Sequence, residues 1–111
     1  MFKRLLTILA FLLWSHSLAV AKDVAGVVIF SGKSKYVVNT ELGMTVCEWY
    51  GGYDLEEGDV VVGQLHQFGL QTVVLVKNRT ATSTKTKLWV DNFWLDKDRA
   101  IEWLQRKGAA D

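Results

Sequence analysis

The stretch "VCEWYGGYDLEEGDVVVG", from Val46 to Gly63, predicts a strand, a loop and a second strand. Side chains alternate between the two faces of a strand, so Thr45, Cys47 and Trp49 share a face that we expect to be buried. The glycines of "GGYDLEEGD" permit the backbone angles of a bend, and its carboxylates favour exposure to water. We therefore assign Cys47 and Trp49 to the core and the acidic segment to a solvated loop.

Apolar, β-branched runs on both sides of this stretch predict further strands. Polar or glycine-containing turns separate them, and the segment "NRTATST" (Asn78 to Thr84) is interpreted as a long polar hairpin connection. Six short strands are expected, at Val24 to Phe30, Lys35 to Thr40, Met44 to Tyr50, Asp59 to Leu65, Leu70 to Lys77 and Lys85 to Asp91.

The apolar residues of "LDKDRAIEWLQRKG" recur at the spacing of a helix rather than that of a strand. We predict an amphipathic helix from about Asp96 to Lys107, with an aspartate as its N-cap and a glycine after its last turn. At least one of Phe93 and Trp94, just before the cap, is expected to form a hydrophobic staple. Residues 22–111 are thus predicted to be one mainly β domain, a small barrel of five to six strands with one C-terminal helix. The helix is expected to cover one end or one open seam of the barrel with Ile101, Trp103 and Leu104.

The strand patterns, and above all "LEEGDVVVG", resemble the oligonucleotide/oligosaccharide-binding (OB) barrels. In many of these a Gly-Asp pair leads into a strand of the form G-D-x-V-x-G, which Gly58, Asp59, Val61 and Gly63 match. The resemblance covers about Val24 to Val90 and implies an OB-like barrel. SH3-like barrels use similar turns and stay open as the alternative. Small exported OB-like proteins are the nearer comparison, because the basic, aromatic nucleic-acid face of cytoplasmic members is not evident.

The first 21 residues have the order of a secretory signal peptide. Lys3 and Arg4 precede an apolar run, Leu5 to Trp14, and small residues lead to a cleavage site after Ala21. The run is short for a membrane span, which takes about 20 residues. We predict export to the periplasm or the medium, with no integral span after cleavage; an uncleaved N-terminal anchor is the alternative.

Charge and residue types exclude several functions. Residues 22–111 hold 11 Lys and Arg against 12 Asp and Glu, which argues against bulk attraction to nucleic acid or to an anionic membrane. Cys47 is the single cysteine, so no internal disulfide can form, and His66 is the single histidine after Ala21. One thiol in mid-strand and one distant histidine make neither a nucleophile–base pair nor a zinc site. We predict no enzymatic activity, no metal and no cofactor.

Two charged clusters have alternative interpretations. The acidic residues Asp54, Glu56, Glu57 and Asp59 could hold calcium, but they lack the spacing of an EF-hand, which favours a solvated loop. The second cluster is basic and consists of Lys77, Arg79, Lys85 and Lys87. We interpret it first as a strand edge, where lysines discourage edge-to-edge strand pairing. The alternative is a contact for an anionic surface. "NRT" at Asn78 fits the N-glycosylation pattern, which matters only in a eukaryotic secretory pathway.

The aromatic residues are the best remaining indication of a contact. We assign Trp49, Trp89 and Trp103 to the core. Tyr50 and Tyr53 flank a Gly-Gly pair, so a ligand could approach the backbone there. The alternative is that these side chains pack on the helix or support the loop.

The predicted contact residues are Tyr50, Tyr53, Asp54 and Glu56. The predicted function is a non-enzymatic exported binding module for a protein or glycan of the cell envelope. The alternative is an inhibitor or accessory subunit of an envelope enzyme.

Overall fold

A computed structural model describes residues 22–109 of the chain. The proposed signal peptide at 1–21 lies outside the described residues. Six strands and one helix follow in order: β1 Val24–Gly32, β2 Lys35–Thr40, β3 Gly43–Gly52, β4 Val60–Gly63, β5 Gly69–Lys77, β6 Thr80–Leu95 and α1 Lys97–Arg106. The mainly β class, the barrel and the C-terminal helix are confirmed.

The strands form a closed antiparallel barrel in the order β1-β2-β3-β6-β5-β4. Pairing of β4 with β1, from Val24 opposite Gly63 to Val27 opposite Val60, closes it. One end of the barrel carries Lys22, the β2–β3 turn, the β4–β5 loop and the end of β6. The opposite end carries the β1–β2 turn, the β3–β4 loop and the β5–β6 turn.

The interior contains inward side chains of all six strands and one leucine from each of two loops. Leu55 of the β3–β4 loop and Leu65 of the β4–β5 loop are buried at opposite ends. Buried loop backbone needs hydrogen-bond partners, and barrel side chains supply them. The hydroxyl of Tyr36 accepts from Leu55 N and that of Ser31 donates to Leu55 O, while the hydroxyl of Thr45 donates to Leu65 O.

α1 packs on the outer face of the barrel wall. Its side chains Ala100, Trp103 and Leu104 meet Val37 of β2 and Val46 of β3. The prediction that the helix covers an end or an open seam is wrong, because the barrel is closed and the outward valines form the apolar surface that the helix needs. Trp103 and Leu104 are buried as predicted, whereas Ile101 is 39% exposed.

The helix begins at its predicted cap. The carboxylate of Asp96 accepts from Arg99 N at 2.8 Å, which satisfies a free donor of the first turn. The staple position is occupied by Leu95, which is buried in the same cluster as Ala100. Neither Phe93, which packs on the interior cluster, nor Trp94, which is exposed, fills that position, so that prediction is wrong.

The prediction of a long hairpin connection from Asn78 to Thr84 is also wrong. β5 and β6 are joined by Asn78 and Arg79 alone, both with left-handed φ angles of 51° and 61°. Two successive left-handed residues make the tight turn that matches the twist of a hairpin. The threonines that follow belong to β6, which runs for 16 residues.

Candidate functional site

The predicted contact residues belong to a strand and to the loop that follows it. Tyr50 is outward on β3 and its ring stacks on Trp89 of β6, with centroids 5.9 Å apart. Tyr53, Asp54 and Glu56 lie in the β3–β4 loop. Gly52 separates the regions, with a φ of 80° and so little space that a Cβ would lie 2.5 Å from Lys85 O. The chain therefore turns sharply between the two tyrosines.

Asp54 is exposed but bonded to a buried side chain. Its carboxylate accepts a short hydrogen bond from the hydroxyl of Tyr36, a fully buried side chain of β2. Burial raises the pKa of the Tyr36 hydroxyl above its usual value, and the bond to Asp54 raises that pKa further. The hydroxyl therefore remains a donor, and Asp54 anchors the loop.

The rest of the acidic loop is closed by its own bonds. Asp59 accepts from Glu56 N at 2.8 Å through its carboxylate and donates its own N–H to Glu56 O at 3.0 Å. The loop is joined to β1 because Gly58 N donates to Val28 O. These bonds make the loop a preorganised exposed element, with Glu56 and Glu57 facing solvent.

Tyr53 is fixed by its backbone. It donates its N–H to Lys85 O at 3.1 Å, and its carbonyl accepts from the hydroxyl of Thr86 at 2.6 Å. The negative charge of Asp59 raises the pKa of the phenol, and partial burial and two further carboxylates raise it in smaller part. Tyr53 thus presents a neutral phenol beside a negative loop.

Two of the predicted core tryptophans are at the surface. Trp49 is 38% exposed and Trp89 is 40% exposed, so their core assignment is wrong, whereas Trp103 is buried. Leu55 and Leu65, which come from loops, are instead among the large side chains of the interior.

A group of exposed apolar and aromatic side chains occupies the barrel end opposite the acidic loop. We call it the aromatic end and define it as Leu42, His66, Phe68, Phe93 and Trp94. Leu42, Phe68 and Trp94 are each exposed by more than 60%. The rings contact one another, with centroids 4.7 Å apart for Phe68 and Phe93 and 5.1 Å apart for Phe93 and Trp94.

The aromatic end borders a pocket of about 480 Å³, the size range of ligand pockets. Leu42, His66 and Trp94 line it together with the start of β1, and Lys22, Asp23 and Glu41 add charges of both signs. The pocket therefore offers apolar contact and a few polar groups in one concave surface.

The backbone holds Trp94 outward. Trp94 has a left-handed φ of 59°, which is rare for a bulky side chain and costs about 1–3 kcal/mol. This conformation lets Phe93 pack on the interior cluster and Leu95 pack under the helix, with the indole between them in solvent.

His66 has a defined tautomer. The hydroxyl of Thr40 donates to Gly43 O at 2.7 Å, so it accepts from Nε2–H of His66 at 2.9 Å. Burial lowers the pKa of the ring, which is therefore neutral at pH 7. Its Nδ1 is left as an acceptor.

The sequence interpretation missed the aromatic end because its members come from the β2–β3 turn, the β4–β5 loop and the end of β6. Each residue alone is an ordinary surface or staple residue. The available signal was the doublet Phe93-Trp94, only one of which a staple could use.

The remaining chemistry of the described residues is limited. Cys47 is fully buried, and burial raises the pKa of its thiol, with the charge of Glu48 acting in the same direction. Within residues 22–109, no three His, Cys, Asp or Glu side chains are placed to hold a metal ion. No helix in that range is long and apolar enough to cross a membrane.

Comparison with known proteins gave no relatives: no protein-family model, no curated protein and no solved structure matches this chain. The resemblance to OB-like or SH3-like barrels stays a prediction from the sequence.

Proposed function

We propose that this chain is an exported, non-enzymatic binding module whose aromatic end contacts a protein or glycan of the cell envelope. The observation that carries the proposal is the pocket of about 480 Å³ beside three highly exposed apolar side chains. Exposed aromatic groups around a concave surface are typical of contact residues, and Trp and Phe provide large apolar area at low entropic cost.

A binding role also agrees with the state of the reactive groups. The thiol of Cys47 is kept protonated and inaccessible, and neutral His66 is held by Thr40. A thiolate nucleophile requires a lowered pKa and partial exposure, which is the opposite setting.

The test begins with crosslinking in the native envelope. A photoreactive residue placed at Leu42 or Phe68 of the full chain is expected to join one dominant partner, identified by mass spectrometry. The same group placed at Arg99, on the exposed side of α1, serves as control. Equal crosslinking from both positions, or from neither, would contradict a partner at the aromatic end.

Affinity variants then measure the contribution of the rings. Trp94→Asn removes the indole and keeps a residue that tolerates the left-handed backbone. With the identified partner or glycan fragment, we expect Trp94→Asn and Phe68→Ala to raise Kd by about 30-fold each, the effect of a hot-spot side chain. Ile101→Ala, on the helix, is the control and should leave Kd within about twofold, since exposed contacts outside an interface contribute little.

A second candidate is an inhibitor or accessory subunit of an envelope enzyme. The rigid acidic loop favours it, since Asp54 and Asp59 preorganise a segment that exposes Tyr53, Glu56 and Glu57. Preorganisation lowers the entropic cost of binding. Inhibition of the captured enzyme by the wild-type protein and not by a Tyr53→Ala variant would establish this role.

A further inference from the structure

The outer surface of β5 and β6 combines lysines with exposed apolar groups. Thr86, Leu88 and Val90 point into the barrel, so Lys85, Lys87 and Trp89 point out. We call this surface the basic aromatic face and define it by six outward side chains: Tyr50, Leu70, Val74, Lys85, Lys87 and Trp89.

Strand register makes the face continuous. Leu70 is directly opposite Trp89, and Val74 is directly opposite Lys85. Tyr50 of β3 adds its ring to Trp89 at an interplanar angle of 29°. Tyr50 is 61% exposed and Leu70 is 53% exposed, so both retain a large apolar area in water.

The interpretation of these lysines as protection for a strand edge is wrong. Lys87 is paired with Thr72 of β5 on one side and with Gly51 of β3 on the other, and the carbonyl of Lys85 accepts from Tyr53 N. This part of β6 is thus a central strand of a closed barrel, with no free backbone edge to protect.

Among the described residues, Lys85 and Lys87 have no ion-pair partner. In the part of the chain that the structure describes, the ion pairs join Lys35 to Glu48 and Lys107 to Asp91. Glu48, the carboxylate opposite Trp89, is thereby neutralised. The face therefore carries two unpaired lysine charges, and it borders the acidic loop where Tyr53 N bonds Lys85 O.

We infer that the basic aromatic face docks on an anionic lipid surface. Trp and Tyr are enriched where membranes meet water, because their rings are apolar and their tips are polar. Lysines at such a surface keep their stems on apolar groups and their ammonium in the headgroup region. The face has this composition on a single wall.

The shape of the face favours lipid over an acidic protein or an anionic glycan. It is the convex outside of a barrel wall whose backbone hydrogen bonds are already made, so a peptide cannot add to it as a strand. Lys85 and Lys87 repeat at roughly 6.6 Å, two residues along a strand, and laterally mobile headgroups can match that spacing without a fixed register. This docking goes beyond the proposed partner of the aromatic end and does not depend on it.

The experiment measures partitioning of the protein, recovered from the periplasm or medium of an exporting host, onto lipid vesicles by cosedimentation. Vesicles of phosphatidylcholine with phosphatidylglycerol are compared with vesicles of phosphatidylcholine alone. We expect binding to the anionic vesicles only, weakening as salt is added. The double variant Lys85→Gln/Lys87→Gln should lower the partition coefficient about 25-fold, since each lysine near an anionic surface contributes about fivefold.

Two matched controls distinguish the effect of the basic aromatic face from the effects of charge and apolar side chains elsewhere on the protein. Lys33→Gln/Lys97→Gln removes the same charge on the β1–β2 side and should lower partitioning by less than about threefold, the screened effect of distant charges. Leu70→Ser should lower partitioning about fivefold, whereas Ile29→Ser, at an exposed apolar residue of β1 on the opposite wall of the barrel, should not change it.

Three results would overturn the inference. The first is equal binding to anionic and neutral vesicles. The second is an equal loss in the Lys33/Lys97 control. The third is retention of the wild-type protein on polyglutamate or heparin without binding to anionic vesicles, which would assign the face to an acidic protein or an anionic glycan.

Discussion

At the residue scale, the polar groups inside the barrel hold its loops. Tyr36 bonds Asp54 and the backbone of Leu55, Thr45 bonds Leu65 O, and Thr86 bonds Tyr53 O. A buried polar side chain is destabilising unless it is hydrogen-bonded. Here each bond replaces a hydrogen bond with water that the loop group loses when it is buried.

The Tyr36 hydroxyl gives a direct test of this role. Tyr36→Phe removes the donor to Asp54 and the acceptor for Leu55 N, so we expect the free energy of unfolding to fall by about 1–3 kcal/mol. Urea denaturation followed by circular dichroism measures it. Tyr50→Phe, the same change on an exposed ring, is the control and should stay within about 0.5 kcal/mol. Equal stability of the two variants would show that the loop is held by other contacts.

At the element scale, α1 stabilises the barrel through one stripe of side chains on the outer wall. Leu104 is 5% exposed and Ile101 is 39% exposed. We expect Leu104→Ala to cost about 2–5 kcal/mol, as for a core leucine, and Ile101→Ala about 1 kcal/mol or less. Thermal or urea unfolding measures both. The reverse order would mean that the helix is rotated about its axis, with Ile101 toward the barrel.

Elements with local signals were predictable from the sequence. β2 has the predicted bounds, Lys35 to Thr40, and the Asp96 cap lies where the residue pattern places it. The connection at Asn78 was not predictable in the same way, because its turn residues include an arginine rather than the usual glycine, and the threonines after it resemble a loop.

The contact surfaces were less predictable because they depend on which side chains fill the barrel. Trp89 lies between the inward residues Leu88 and Val90 of β6, so it points outward and stacks on Tyr50. The choice of Tyr50 and Tyr53 as one surface used their closeness in sequence, and it stays a prediction: Tyr50 lies on β3 and Tyr53 lies in the loop after Gly52. Asp54 resembled a free carboxylate because its partner Tyr36 lies 18 residues earlier.

At the scale of the whole molecule, stability is coupled to the protonation of buried groups. Burial raises the pKa of Cys47 and of Tyr36 in the folded state above their unfolded values of about 8.5 and 10. The stability gained by keeping these groups protonated is fully present below those unfolded values. It is lost as pH rises above them, because the unfolded chain releases the protons first.

We therefore expect the free energy of unfolding to fall above about pH 8.5, by up to about 1.4 kcal/mol per pH unit for each such group. Urea titrations at a series of alkaline pH values measure the slope. Cys47→Ala should abolish the decrease between about pH 8.5 and 10 and retain the one that follows, where Tyr36 contributes. A decrease of the same size in the variant would assign it to groups other than the thiol.

Leu55 and Leu65 are buried at the two ends of the barrel and join the cluster of side chains that packs its interior. Inward positions are constrained by packing and by hydrogen bonds to the loops, whereas outward positions away from α1 are constrained only by what the surface contacts. The two sets can therefore diverge independently: descendants of such a chain could keep one inward set and come to recognise unrelated targets.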